Sequence, residues 1–245
     1  MGERIEEGYR EKLRTLLARV QPRRLEFGVE LLMGRARDLA RSEGLSVPQA
    51  LARVYEFTRV RVEKRVKLMA ACSLNPAAPA AEPRRFLCDA NLGGLARWLR
   101  AAGYEAGWRA GIDDGELVAQ AHAEGALLLT GDVGIMRRRL VRGGAVHALW
   151  VPSSLGLLEQ LSMVMRELGL ALRSPRCMAC GGALKPVAKD EVESRIPPRT
   201  ARWKDAYFLC AACGRLFWEG THWERITARL ARAVAPLIPL VFLLP

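Results

Sequence analysis

Four of the chain's six cysteines and a small set of aspartates have the types and spacing to do chemistry. Cys177-Met178-Ala179-Cys180-Gly181 and Cys210-Ala211-Ala212-Cys213-Gly214 are two C-x-x-C-G pairs. Four thiolates satisfy a tetrahedral zinc ion, and the glycine after each pair permits the tight turn that aims both sulfurs at it. The interval between the pairs exceeds the commonest ribbon spacing and leaves room for a long hairpin or an inserted loop. Disulfides and a redox C-x-x-C are the competing readings. The first does not suit a reducing compartment, and the second needs no duplicate. Zinc here is a structural cofactor, because a module this small has little core of its own. Cys72 and Cys88 stand alone and read as buried thiols.

The acids point to different chemistry. Asp89 closes the apolar run Phe86-Leu87-Cys88, and Asp132 closes Leu127-Leu128-Leu129-Thr130-Gly131. In open parallel sheets ligands bind beyond the carboxyl ends of strands, so two acids there converge if their strands are neighbours. Asp113 and Asp114, at a helix start, could join them. Clustered carboxylates repel, and a hard divalent cation, Mg²⁺ or Mn²⁺, suits such oxygen ligands. That ion can activate water and neutralise charge on a phosphodiester. Each acid also has a purely structural use. Asp113 with Glu116 makes a capping box, and Asp132 and Asp89 can each cap the helix that follows. No histidine is required: His122 in a helix and His147 in a strand read as packing or surface residues.

The elements that must position these residues follow from periodicity. Leu13, Leu16, Leu17 and Val20 recur at helical spacing, and residues 3–70 read as helices, with Gly44 as a stop and Ser46 with Gln49 as a capping box. Residues 73–85 are rich in Pro and Ala and read as a linker. Strands are expected at 86–88, 126–130 and 145–151, and helices at about 92–102, 115–124 and 155–169. Short apolar strands alternating with helices predict an α/β fold with a parallel sheet. The domain organisation is then 1–72 helical, 73–85 linker, 86–172 α/β, 173–226 zinc ribbon and 227–245 hydrophobic tail.

The net charge of +12 favours a polyanionic partner. It is uneven: residues 1–80 carry 16 basic against 10 acidic side chains, 81–172 carry 10 of each, and 173–245 carry 12 against 6. If nucleic acid binds, the flanks can hold its backbone while the middle does the chemistry. The charged start lacks the apolar region of a secretory signal, so a cytoplasmic protein is expected. The end, LIPLVFLLP at 237–245, is too short to span a bilayer, which takes about 20 apolar residues. Packing on the body or a partner is expected of it, not membrane contact.

Together these pieces resemble the Mut7-C ribonuclease domain family, a PIN-like nuclease core followed by a zinc ribbon. The resemblance rests on FLCDANLGGLARWLRAAGY, DDGELVAQAHAEGALLLTGD, LEQL, the two cysteine pairs, KDEVESRIPP and CGRLFWEGTHWERI, in that order over residues 84–226. It implies a metal-dependent endoribonuclease acting on RNA, with Asp89, Asp114 and Asp132 as the acidic site and Asp113 as a further candidate beside Asp114. Where the family has Thr-Arg-Asp, this chain has Thr130-Gly131-Asp132, with Arg137, Arg138 and Arg139 close by in sequence. Related chains often begin with a ubiquitin-like domain. The N-terminal part here reads as helices instead and could take a protein partner. Arg97 and Arg100, with Arg137 to Arg139, are candidate contacts to the RNA backbone, and Trp218, His222 and Trp223 could stack on bases. The alternatives are a solvated helix face for the arginines and a ribbon core for the aromatics. The rival functions are a non-catalytic RNA-binding or adaptor protein, and a phosphatase-like domain. The run Asp89-Ala90-Asn91 counts against the phosphatase, which wants D-x-D.

Overall fold

The computed structural model describes residues 2–20, 22, 24–71 and 85–234. Cys72, all but the last residue of the expected linker, and the tail from 235 onward lie outside the described residues. Internal contacts divide the chain into two units, residues 1–81 with 130–152 and residues 82–129 with 153–245.

In the first unit, helices α1 (Gly2–Ala18), α2 (Leu25–Glu43) and α3 (Val47–Ala71) pack on one another. Gly44 ends α2 in the left-handed conformation, φ 64°, and its N–H satisfies the Ala40 carbonyl. Leu13, Val29, Met33, Leu51 and Tyr55 build the core. Short helices α6 (Val133–Met136) and α7 (Arg139–Arg142) and strand β4 (Ala148–Trp150) belong to this unit. Their Met136 and Trp150 enter the same apolar cluster. The Trp150 ring meets Tyr9 edge to face at 5.4 Å and lies against Gly8, where any Cβ would collide with the indole.

The second unit holds β1 (Arg85–Cys88), α4 (Gly93–Ala101), β2 (Glu105–Trp108), α5 (Asp114–Glu124) and most of β3 (Leu127–Thr130). Strand order in the sheet is β2-β1-β3-β4. β1 pairs in parallel with β2, Phe86 opposite Ala106, and with β3, Phe86 opposite Leu127. Phe86, Leu87 and Cys88 are all buried, as a strand covered on both faces demands. Helix α8 (Leu157–Glu167) packs on α4.

The ribbon continues this unit as an antiparallel sheet of β5 (Leu184–Val187), β6 (Tyr207–Cys210) and β7 (Leu216–Trp218). Short helices α9 (Lys189–Val192) and α10 (Pro198–Ala201) fill the interval between the cysteine pairs. Helix α11 (Thr221–Val234) follows and packs on α8. Among the described residues no helix is long and apolar enough to cross a membrane.

Candidate active site and metal centre

The four cysteines converge. Their sulfurs all lie within 4.8 Å of one another. Cys177 Sγ is 3.7 Å from Cys213 Sγ, and Cys180 Sγ is 3.4 Å from Cys210 Sγ. Zinc–sulfur bonds of about 2.3 Å in a tetrahedron put the sulfurs about 3.8 Å apart, so the residues present fit the ion. Both knuckle glycines take positive φ, 81° at Gly181 and 64° at Gly214, as the tight turns require. Gly182 is equally constrained, since a Cβ there would sit 2.7 Å from Cys210 Sγ. Crowding splits the thiols. At Cys180 the Gly182 N–H favours the thiolate, but burial and the neighbouring sulfurs push the thiol up to about 12. At Cys210 burial opposes the thiolate, but the N–H groups of Cys213 and Ala212, with Cys180, bring it down to about 6. Ligation of all four as thiolates would end that competition. Cys88 is a different thiol: full burial, with Asp89 beside it, pushes it up, so it stays protonated and inert.

Arg100 ties α4 to the ribbon. It is only 6 % exposed. Its Nε donates to the Ala106 carbonyl on β2 at 2.8 Å, and its Nη1 donates to the Met178 and Ala179 carbonyls of the first knuckle at 3.1 and 2.8 Å. Arg176 closes the arrangement, its backbone N–H on the Arg100 carbonyl and its Nε on the Gly181 carbonyl. Arg100, expected on an RNA-facing helix surface, is thus committed to holding the knuckle. Arg97, one helical turn earlier, is exposed.

Each aspartate has its own structural setting. Asp89 follows β1 directly and is only 4 % exposed. Its N–H donates to the Leu129 carbonyl of β3 at 3.0 Å, which carries the parallel ladder past the strand end. Its Oδ1 accepts from the Asn91 N–H at 2.9 Å and caps a single 3₁₀ turn, Ala90–Leu92, that runs into α4. Trp108, which sequence reading passed over, braces that turn: its indole N–H donates to the Ala90 carbonyl at 3.0 Å, and its ring lies over Gly93, where a Cβ would clash. Asp113 is exposed and caps α5, accepting from Gly115 and Glu116 N–H at 2.7 and 3.2 Å. Asp114, the first residue of α5, is half-buried.

In the other unit, Asp132 is exposed and caps α6 by accepting from the Gly134 N–H at 2.5 Å. Its own N–H donates to the buried Thr130 hydroxyl at 2.9 Å, and the Trp150 indole N–H reaches the Gly131 carbonyl at 3.2 Å. Arg137 is drawn to Glu7 and Glu11 of α1. Arg137, Arg138 and Arg139 are exposed, as are His122 and His147. Among the described residues, the cysteine set is the one group of three or more potential ligands gathered within reach of a single ion.

Comparison with curated proteins and with solved structures returned no match. A family model does match: the Mut7-C RNAse domain, over residues 84–230, which spans both the parallel-strand core and the cysteine ribbon. With more than half of its length inside that match, the chain belongs to the Mut7-C RNAse domain family, a family of ribonucleases.

Proposed function

We propose that the protein is a metal-dependent endoribonuclease whose cleavage centre uses Asp89, Asp114 and Asp132, with Asp113 beside them. The observation that carries this reading is the burial of Asp89 at the end of a parallel strand, inside the segment that matches a ribonuclease family. Burying a carboxylate is costly, and capping one short turn does not require a charge, since asparagine or serine caps as well. A carboxylate in that place suits a bound cation.

Carboxylate oxygens are the donor set that Mg²⁺ or Mn²⁺ prefers. A carboxylate site built on Asp89 would hold the ion, which when bound supplies an activated water and offsets charge on the phosphate. The chain's own part is orientation. The Asn91 N–H fixes the Asp89 carboxylate, and the Gly134 N–H fixes that of Asp132. Exposed Arg138 and Arg139 offer donors for the RNA backbone. Zinc on the four cysteines would hold the ribbon. A second reading, a non-catalytic RNA-binding protein, draws support from Asp113 and Asp132, whose capping bonds account for them without catalysis.

The test is cleavage of end-labelled single-stranded RNA with Mg²⁺, with Mn²⁺ and with no added divalent ion, beside Asp89→Asn. We expect ion-dependent products that fall at least about 100-fold in the variant, since such ions supply several kcal/mol of transition-state stabilisation. Equal cleavage by Asp89→Asn would remove Asp89 from the site. Intact RNA under every ion would favour the second reading.

A further inference from the structure

The second unit carries a groove of about 940 Å³ lined by α4, the ribbon and α11. Leu216, Phe217, Ile226 and Leu230 give it an apolar lining. Trp218 and Trp223 form part of the wall, with the exposed His222 beside them. Trp223 is held by stacking on Phe208, ring centroids 6.0 Å apart and planes 12° from parallel. Arg97, Arg173, Arg176 and Arg215 also line it, and the lining contains no acidic residue.

The arginines have different duties. Arg173 lies over the Tyr104 ring, and Arg176 holds the Gly181 carbonyl. Arg97 and Arg215 are exposed and have no carboxylate partner among the described residues. Two such exposed cations lining a groove that also carries aromatics match the elements of single-strand binding, positive charge for the backbone and flat faces for stacking. That combination suits an anionic polymer with accessible flat faces. A duplex hides its base faces and is read by shape, whereas an unpaired strand can lay bases on the indoles and phosphates on the guanidinium groups.

We propose that this groove binds an unpaired RNA strand, with bases stacked at Trp223 and Trp218 and backbone phosphates on Arg97 and Arg215. The inference rests on the ribonuclease reading and adds to it a substrate class and a holding site separate from the acids. A hydrophobic peptide would suit the apolar lining but would leave the two exposed arginines unused.

The test is fluorescence anisotropy of a labelled oligo(U) strand and a labelled RNA hairpin duplex with the full-length zinc-loaded protein. It is run in the Asp89→Asn background without added Mg²⁺ or Mn²⁺, so binding is read whether or not cleavage occurs. The single strand should bind more tightly than the duplex. Arg97→Gln with Arg215→Gln should weaken it and lower the slope of log K against log salt by about 1.4, about 0.7 for each phosphate no longer neutralised. Trp223→Ala should weaken binding about 5-fold or more, and Trp223→Phe should restore most of it, as stacking predicts. Because Trp223 also packs on Phe208, the two exposed arginines supply the variant that leaves packing untouched. Unchanged affinity and salt slope in the double arginine variant would overturn the proposal, as would equal binding of duplex or binding only of peptide. If RNA is never cleaved while these binding losses occur, the ribonuclease reading fails and the groove stands. If cleavage occurs while the losses do not, the groove alone fails.

Discussion

Buried guanidinium groups must find acceptors inside the protein, and Arg100 finds them on both β2 and the first knuckle. Replacement by methionine keeps much of the aliphatic stem but strands three carbonyls that now receive charge-assisted bonds. Each such bond contributes about 1.5–3 kcal/mol, and the losses are not fully additive. Arg100→Met should therefore destabilise the protein by about 2–4 kcal/mol. It should also weaken zinc retention, because the carbonyls of Met178 and Ala179 lie between two ligands. Thermal melts and release of zinc to a chromophoric chelator measure the two effects. Zinc retention equal to wild type would show that the knuckle does not depend on this strut. Arg97→Gln, on the exposed side of α4, should leave both measurements unchanged. Sequence alone did not separate these two arginines. They lie one helical turn apart in an amphipathic segment, and what distinguishes them is the arrival of residues 176–181 from far along the chain. The cysteine set was legible because its spacing is local and its chemistry admits few alternatives.

At the scale of elements, much of the architecture was readable from periodicity and punctuation. The α2–α3 break follows from Gly44 and Ser46, and β1 and β3 from runs too apolar to face water. β2 was missed because Glu105-Ala106-Gly107-Trp108 has neither an apolar run nor alternation. Its strand character comes from pairing with β1, and Gly107 is there because a Cβ would meet Leu87 at 2.5 Å. Gly8 of α1 shows the same dependence on distant partners. A glycine in a helix costs about 0.5–1 kcal/mol relative to alanine, so its presence needs a reason. The reason is Trp150, whose ring occupies the space a Cβ would take. Gly8→Ala should overpack this contact and cost about 1–3 kcal/mol. Gly34 in α2 is the matched control, with nothing within 4 Å of its would-be Cβ. Gly34→Ala should stabilise by about 0.4–1 kcal/mol. Urea denaturation of the two variants beside wild type tests the pair. Shifts of the same sign would show that helix propensity, not the Trp150 contact, governs both sites.

On the scale of the whole molecule, the family match and the contact units divide the chain differently. The matched segment begins at residue 84, yet residues 130–152 make their contacts with the N-terminal helices. This was not readable from composition, because the helices carry ordinary amphipathic patterns that do not reveal which surface will cover them. Trp150 is 2 % exposed and Met136 is 4 % exposed, both within the cluster that Leu13, Met33 and Tyr55 complete. A fragment starting at residue 84 would bare both side chains, including the ring that now meets Tyr9. Exposing a fully buried large apolar side chain costs about 1.5–3 kcal/mol, against a total domain stability of about 5–15 kcal/mol. The fragment should therefore lose cooperative unfolding around Asp132 and Trp150, and the bared tryptophan should promote self-association. Size-exclusion chromatography and near-ultraviolet circular dichroism of residues 84–245 beside the full chain would read both effects. A monomeric fragment with a sharp melt and an unchanged tryptophan signal would mean that 130–152 can be covered without the helices. Restoring the monomer by adding back a separate peptide of residues 1–71 would show that the helices act as the missing part of that core.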